Sequence, residues 1–228
     1  MKITYYGHSC FGVEVMGKYL LFDPFITPNE LAKNIDIQKI PADYILLSHG
    51  HGDHVADVVP IANNTRAQVI GVYEVVGWFQ EKHGIENIMG MNTGGHVTLS
   101  ENIQIKLINA VHSSSMPDGS YGGNPVGFVI SSPEGTFYYA GDTALSFDMK
   151  LIPMEFSIDF AFLPIGDFYT MGINDAVQAA QYIETKQVIG MHYDTMPVIK
   201  IDRGNAIEAF QQQEIQLHLP SIGDSIQL

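Results

Sequence analysis

Tyr44-Ile45-Leu46-Leu47-Ser48-His49-Gly50-His51-Gly52-Asp53-His54 couples an apolar run to four ligand-type side chains within six positions. The run reads as a fully buried strand that ends where the ligands begin. Gly50 and Gly52, interleaved with the ligands, carry no side chain that would keep the backbone from folding them onto one point. Imidazole and carboxylate donors without a thiolate suit zinc, iron or manganese and speak against zinc-finger chemistry. A histidine-rich surface loop or a structural metal site would be plainer readings. Four ligand-type residues from one short loop, however, exceed what a structural tetrahedral site takes.

The pattern His49-x-His51-x-Asp53-His54 after an apolar strand resembles the metal-binding motif of the metallo-β-lactamase superfamily. That resemblance implies an α+β fold, an αββα sandwich of two mixed β-sheets flanked by helices, and hydrolysis at one or two metal ions. The superfamily pattern continues with a later His, an Asp that bridges two metals, and a last His, each at a strand end. His112 follows the alternating run 103–111, Asp142 closes the aromatic stretch Tyr138-Tyr139-Ala140-Gly141, and His192 closes Gln187-Val188-Ile189-Gly190-Met191. Singly, each has an ordinary explanation, since an Asp after Gly is usually a turn residue and a strand-end His is commonly hydrogen-bonded. The weight lies in the ordered set.

Placed together, the resemblance implies His49, His51 and His112 on one divalent metal, Asp53, His54 and His192 on a second, and Asp142 between them. Zinc is the first expectation, with manganese or iron as alternatives. Within the superfamily, Tyr6-Gly7-His8-Ser9-Cys10-Phe11, Leu163-Pro164-Ile165-Gly166 and Met191-His192-Tyr193-Asp194 are most similar to a group of uncharacterised metal-dependent hydrolases related to L-ascorbate-6-phosphate lactonase. In that group a His at the position of His8 lies close to the site. His8 is therefore expected to touch substrate or donate a proton, not to bind metal.

Two metals a few ångström apart bring a shared water toward ionisation at neutral pH, so the resemblance implies hydrolysis of a lactone, ester or phosphodiester in a small metabolite by metal-bound hydroxide. Asp53 is the candidate to orient that nucleophile and pass on a proton. Asp23 either supports a ligand imidazole from behind or is a turn residue before Pro24. An oxidoreductase on the same scaffold, with a di-iron site, is a rival reading, but such relatives usually carry an acidic residue where His51 stands, and no flavin-binding segment is present. A non-catalytic metal-binding protein would be expected to lack ligands, and all seven are present.

Composition limits the partners. The chain of 228 residues carries 11 Lys and Arg against 25 Asp and Glu, a formal charge of −14, and its basic residues form no run. Nucleic acid is disfavoured, because phosphate backbones demand a basic surface. A small anionic substrate could still be drawn to the metals themselves. No apolar stretch approaches the ~20 residues of a membrane span, and no basic region leads into an apolar signal core, so a cytoplasmic protein without membrane partners is expected. Cys10 is the one cysteine and reads as buried filler.

The sequence also repeats itself. Residues 11–15, a turn, 19–22 and Asp23 are answered by 128–132, a turn, 137–140 and Asp142, and the pairs 43–47 with 159–163 and 68–71 with 187–190 follow in the same order. One domain over 1–228 is expected, built from two similar halves of about 1–110 and 111–228. Helices are expected over 58–62 capped by Asp57, over 73–83 stopped by Gly84, over 175–184 capped by Asn174, and from Asp202 or Asn205 to Gln213. All ligands then fall in loops or at strand ends, none in a helix. His83 reads as a complement to a helix dipole, and His96 and His218 as ordinary surface or strand residues. The unpatterned stretch 113–125 is a candidate substrate lid with Met116 and Tyr121 as contacts. Tyr169 and Tyr193 either face the cleft or are buried with their hydroxyls satisfied elsewhere.

Overall fold

Residues 1–99 and 102–228 are described in the computed structural model. The first sheet is built from β1 (Lys2–Gly7), β2 (Cys10–Val15), β3 (Lys18–Phe22), β4 (Tyr44–Leu47), β5 (Gln68–Val72), β6 (Ile88–Met91) and β14 (Ser225–Gln227), in the order β14-β1-β2-β3-β4-β5-β6. The second contains β7 (His96–Thr98), β8 (Gln104–Asn109), β9 (Val126–Ser132), β10 (Gly135–Tyr139), β11 (Phe160–Pro164), β12 (Gln187–Met191) and β13 (Gln216–His218), in the order β13-β12-β11-β10-β9-β8-β7. Both sheets are mixed. In the first, β14 through β3 are antiparallel neighbours and β3 through β6 parallel. The second repeats that sequence of directions, with the change at β10.

Side-chain alternation decides which faces meet. Phe22 of β3 stacks on Tyr139 of β10 with ring centroids 4.5 Å apart, and Phe11 of β2 meets Phe162 of β11 at 4.7 Å. These rings, fully buried, form the layer between the sheets. Truncating Phe22 or Phe162 to Ala would cost about 3–5 kcal/mol through lost transfer energy and the cavity left behind. Strand β11 is buried at all five positions, as expected of a parallel strand covered on both faces.

Parallel neighbours need crossovers, and α-helices supply them except between β3 and β4 and between β10 and β11. Between β4 and β6 lie α1 (Gly52–Val55), α2 (Val58–Thr65) and α3 (Tyr73–His83), while α4 (Ile173–Tyr182) joins β11 to β12 and α5 (Arg203–Gln211) joins β12 to β13. Helix α3 has the expected bounds, and the Gly84 N–H closes it on the Gln80 carbonyl at 3.1 Å. His83 ends α3 against Trp78, and His218 in β13 pairs with Gln187. Asp202 caps α5 by accepting from the Asn205 N–H at 3.0 Å. Two caps differ from expectation. Asp57 precedes α2, but its carboxylate accepts from the N–H groups of Ile26 and Thr27 at 2.6 and 2.8 Å, tying the segment after β3 to this helix. Asn174 lies inside α4, which starts after Gly172 without a side-chain cap, so the chain turns helical earlier than the Asn suggested. Cys10 is fully buried in β2. No helix among the described residues is long and apolar enough to cross a membrane.

Candidate metal centre

Both sheets deliver side chains to one edge of the sandwich. From the first come His8 in the β1–β2 turn and the segment after β4; from the second come His112 beyond β8, Asp142 beyond β10 and His192 after β12. His51 is the extended residue before α1, whose single turn closes when the His54 N–H bonds to the His51 carbonyl at 2.9 Å. Asp53 and His54 thus lie in a helix, contrary to the expected loop. The helical turn splits the adjacent side chains, sending His54 to full burial and leaving Asp53 with a side chain 25% exposed toward solvent.

The seven expected residues converge, and His8 joins them. His49, His51 and His112 each offer a ligand atom within 4.8 Å of the others, and so do His8, Asp53, His54 and His192. Asp142 stands between the groups. Its Oδ2 is 3.0 Å from His192 Nε2, 3.2 Å from His54 Nε2 and 3.6 Å from His112 Nε2. His54 Nε2 and Asp142 Oδ1 are buried without a hydrogen-bond partner. Buried polar atoms in proteins are almost always paired, so a set of unpaired nitrogen and carboxylate donors turned on one another fits a cation.

Behind the ligands, Asp23 is fully buried and accepts from the Ser48 N–H at 2.8 Å, the Ser48 hydroxyl at 2.6 Å, His54 Nδ1 at 2.8 Å and the Tyr139 hydroxyl at 2.8 Å. Asp23 thus holds the His54 imidazole from behind, as one of its two readings expected. Because Ser48 Oγ donates to Asp23, it accepts from His49 Nδ1 at 2.9 Å, and the lone pair of His49 Nε2 is left pointing into the cluster. His54 is oriented the same way by Asp23 itself. Such partners on the far ring nitrogen fix tautomer and direction in metal-ligating histidines.

Charge divides the two groups. Burial lowers the pKa of His49, His51 and His112, so these rings are neutral and ready to donate lone pairs. Burial would do the same to His54 and His192, but the Asp142 carboxylate outweighs it. The pKa of His54 is raised well above the ordinary value, and that of His192 to about 9. Burial opposes ionisation of Asp142 and Asp53, yet their imidazole neighbours hold both carboxyls well below the usual range. Without metal, protons on His54 and His192 hold the second group together. His8, desolvated by burial against the pull of Asp53, is lowered to about 4 and is neutral.

His8, Asp23 and His192 all adopt left-handed backbone conformations, with φ of 56°, 41° and 55°. Such conformations are uncommon outside glycine and cluster at functional sites. Gly141, at φ 62°, makes the turn into Asp142, and a Cβ there would lie 2.7 Å from Ser48 Cβ and 2.9 Å from the Val126 carbonyl oxygen. Only glycine permits that approach.

A cleft of about 590 Å³ opens over the centre, walled beyond the ligand-type residues by Gly52, Ser113, Tyr169 and Met196. No Lys or Arg lines it among the described residues. Tyr169, half exposed, belongs to the wall, while Tyr193 is buried with its ring near Arg203. The expected lid contacts lie elsewhere. Met116 is buried beneath Gly50, where a Cβ would meet its sulfur at 2.5 Å, and Tyr121 faces a groove against α3 with Tyr73 and Trp78. The loop is tied down, since Ser114 Oγ accepts from the Gly50 N–H at 3.1 Å and Asp118 accepts from Trp78 Nε1 at 2.9 Å. Sequence reasoning missed Ser48, Tyr139, Met196 and Thr195, which holds His8 Nδ1 at 2.5 Å. Ser48, between strand and first ligand, carried the one signal that could have been read.

A family model described as the beta-lactamase superfamily domain matches residues 2–192. Over 226 residues the chain is 48% identical to a UPF0173 metal-dependent hydrolase of Methylacidiphilum infernorum, covering 99% of both chains. The counterpart from Flavobacterium johnsoniae is 47% identical over 228 residues, 100% of both. The chain belongs to the UPF0173 metal-dependent hydrolases of the beta-lactamase superfamily. A solved structure, that of the metallo hydrolase Igni18 from Ignicoccus hospitalis, superposes with a TM-score of 0.89 at 31% identity, covering 99% of this chain and 97% of that one.

Proposed function

We propose that this UPF0173 protein hydrolyses a neutral carbon ester, cyclic or open, at a dinuclear site. His49, His51 and His112 would hold one divalent ion, Asp53, His54 and His192 the other, and Asp142 would touch both. The observation that carries the reading is Asp142 Oδ2, which lies within 3.6 Å of an imidazole nitrogen from each group. Nitrogen and oxygen donors of this kind accept zinc first, with manganese and iron as alternatives.

When bound, a pair of such ions supplies Lewis acidity and lowers the pKa of a shared water toward neutrality. The chain's own contribution is placement. Asp53 lines the cleft, where its carboxylate is placed to accept a hydrogen bond from the attacking water and aim it. Tyr169 and Met196 offer an aromatic and a thioether wall on which the acyl or leaving portion would rest. The cleft's lack of basic side chains favours a carbon ester over a phosphodiester, whose oxyanions usually meet Arg or Lys. A lactone also fits the resemblance to hydrolases related to L-ascorbate-6-phosphate lactonase.

The test is elemental analysis followed by a panel of lactones, esters, thioesters and phosphodiesters, with wild type and Asp142→Ala handled alike. About two metals per chain and lactone or ester turnover, both lost in the variant, support the reading. Phosphodiesters as the preferred class would overturn the substrate assignment. One metal or none, unchanged by the substitution after metal is supplied, would overturn the dinuclear site.

A further inference from the structure

Helix α1 and the β1–β2 turn bring His8 and Asp53 face to face, and the contact repays a count of protons. The Thr195 hydroxyl has one proton and donates it to the Tyr193 carbonyl at 3.3 Å, an atom that can only accept. Thr195 Oγ1 must then accept from His8, whose Nδ1 lies 2.5 Å away. His8 Nε2, the ring's other nitrogen, faces the Asp53 carboxylate at 3.1 Å and lies within 4.8 Å of a ligand atom from each of Asp53, His54 and His192. Something positive belongs between them, a proton on the ring or a cation shared by the four residues.

The direction of His8 says where. The Asp53 oxygen it faces is Oδ2, the same atom that lies 3.8 Å from His192 Nε2 and 3.9 Å from His54 Nε2. His8 Nε2 therefore points to the middle of the second group, not to an outer edge of the carboxylate. Its ring lies against His192 with centroids 4.1 Å apart, and its backbone carbonyl accepts from the His192 N–H at 3.1 Å, so the two rings are placed by one contact between the sheets. His8 also repeats the arrangement of His49 and His54, with Nδ1 on an oxygen and Nε2 inward. It is fully buried, which sets it apart from a side chain waiting for substrate.

We propose that His8 is a metal ligand of the second group, so that the two ion sites are unequal. The inner site then draws on His8, Asp53, His54 and His192 besides Asp142, whereas the outer one has His49, His51 and His112 besides Asp142. His51 and His112 are only half buried, and both line the cleft. The more fully ligated inner ion would hold the structure, and the outer one would keep the more open position where substrate is received. The proposal rests on the dinuclear reading above, and its test separates the two.

Protein labelled with ¹⁵N-histidine is loaded with spin-½ cadmium, and scalar coupling between cadmium and imidazole nitrogens is read by NMR in wild type and His8→Asn. Asn tolerates the left-handed backbone at this position, and His8→Ala serves as a second variant if Asn does not fold. Two cadmium resonances with six coupled imidazoles in wild type, and loss of one coupling from a single resonance in the variant, are expected. Chelator titration should show that same ion binding about 10–100-fold more weakly, as outer partners alone already have such effects. Two resonances with only five coupled imidazoles and none on His8 would overturn the proposal and leave the dinuclear site standing. Fewer than two resonances in wild type would overturn both.

Discussion

Asp23 and Asp142 occupy matching places in the two sheets. Each follows the strand, β3 or β10, at which antiparallel pairing gives way to parallel. Yet their surroundings differ. Asp23 is fully hydrogen-bonded, with two contacts from Ser48 and one each from His54 and Tyr139. Asp142 meets imidazoles alone and leaves Oδ1 without a partner. One carboxylate is finished by the protein; the other would be finished by the metals proposed above. On the proposed reading the same topology supplies both a ligand and the support behind a ligand, and the choice rests on whether nearby side chains bring hydroxyls or bare ring nitrogens.

The comparison breaks most visibly at Asp142. Asp142→Ala should reduce metal content from about two ions per chain to one or none and lower ester turnover about a thousandfold, roughly 4 kcal/mol of transition-state stabilisation. Elemental analysis and initial rates check it, and full metal content in the variant would equate Asp142 with its buried counterpart. Asp23→Ala should behave oppositely. It should cost about 3 kcal/mol in denaturant unfolding, because buried donors lose their shared acceptor, while the metals still bind, about 10–100-fold more weakly. Equal stability of variant and wild type would contradict the supporting part given to Asp23.

Protons sharpen the contrast in the next experiment. Against the effect of burial, the Asp142 carboxylate holds a proton on His192, which titrates near 9, above its unfolded value, so this proton stabilises the metal-free fold fully below about pH 6.5 and is lost as pH rises through about 9. A metal must displace it. Apparent metal affinity should rise up to about tenfold per pH unit across that window, with a matching proton release seen by calorimetry in buffers of different ionisation enthalpy. A flat profile would mean that Asp142 does not hold a proton on its neighbour. The smallest effect is expected for Ser48→Ala, which removes the relay from Asp23 to His49 and should cost about 1 kcal/mol of stability. Chelator titration should show the weakening confined to one of the two ions.

Much of this was legible in the sequence. The buried parallel strands β4 and β12 are short apolar runs, His49 lies one residue beyond the first and His192 directly follows the second, so strand ends marked the site. What stayed hidden depended on contacts across the sandwich. Asp57 and Asn174 have the composition of helix caps, but tertiary partners or an earlier helical start override that local preference. The turn α1 was missed because Gly52 and Asp53 are weak helix formers and the helix is a single turn. Met116 and Tyr121 belong to an unpatterned loop beside the ligands, yet Gly50 and Trp78 draw it down onto the body, and Tyr169 and Met196 from distant segments wall the cleft instead. Thr195 had no local signal, because its partner His8 lies at the other end of the chain.

Gly141 has a bearing on how such a protein can vary. A methyl group there would press on Ser48, and Ser48 is the residue through which Asp23 holds His49. An inert substitution at 141 would therefore displace Asp142 and disturb the support of the opposite sheet together, though glycine itself contacts no ligand. Mutational surveys would score the position as essential despite its lack of chemistry. Any lineage that enlarges it must first make room at 48, so the junction between the two sheets can be inherited or lost as a unit but is hard to alter one step at a time.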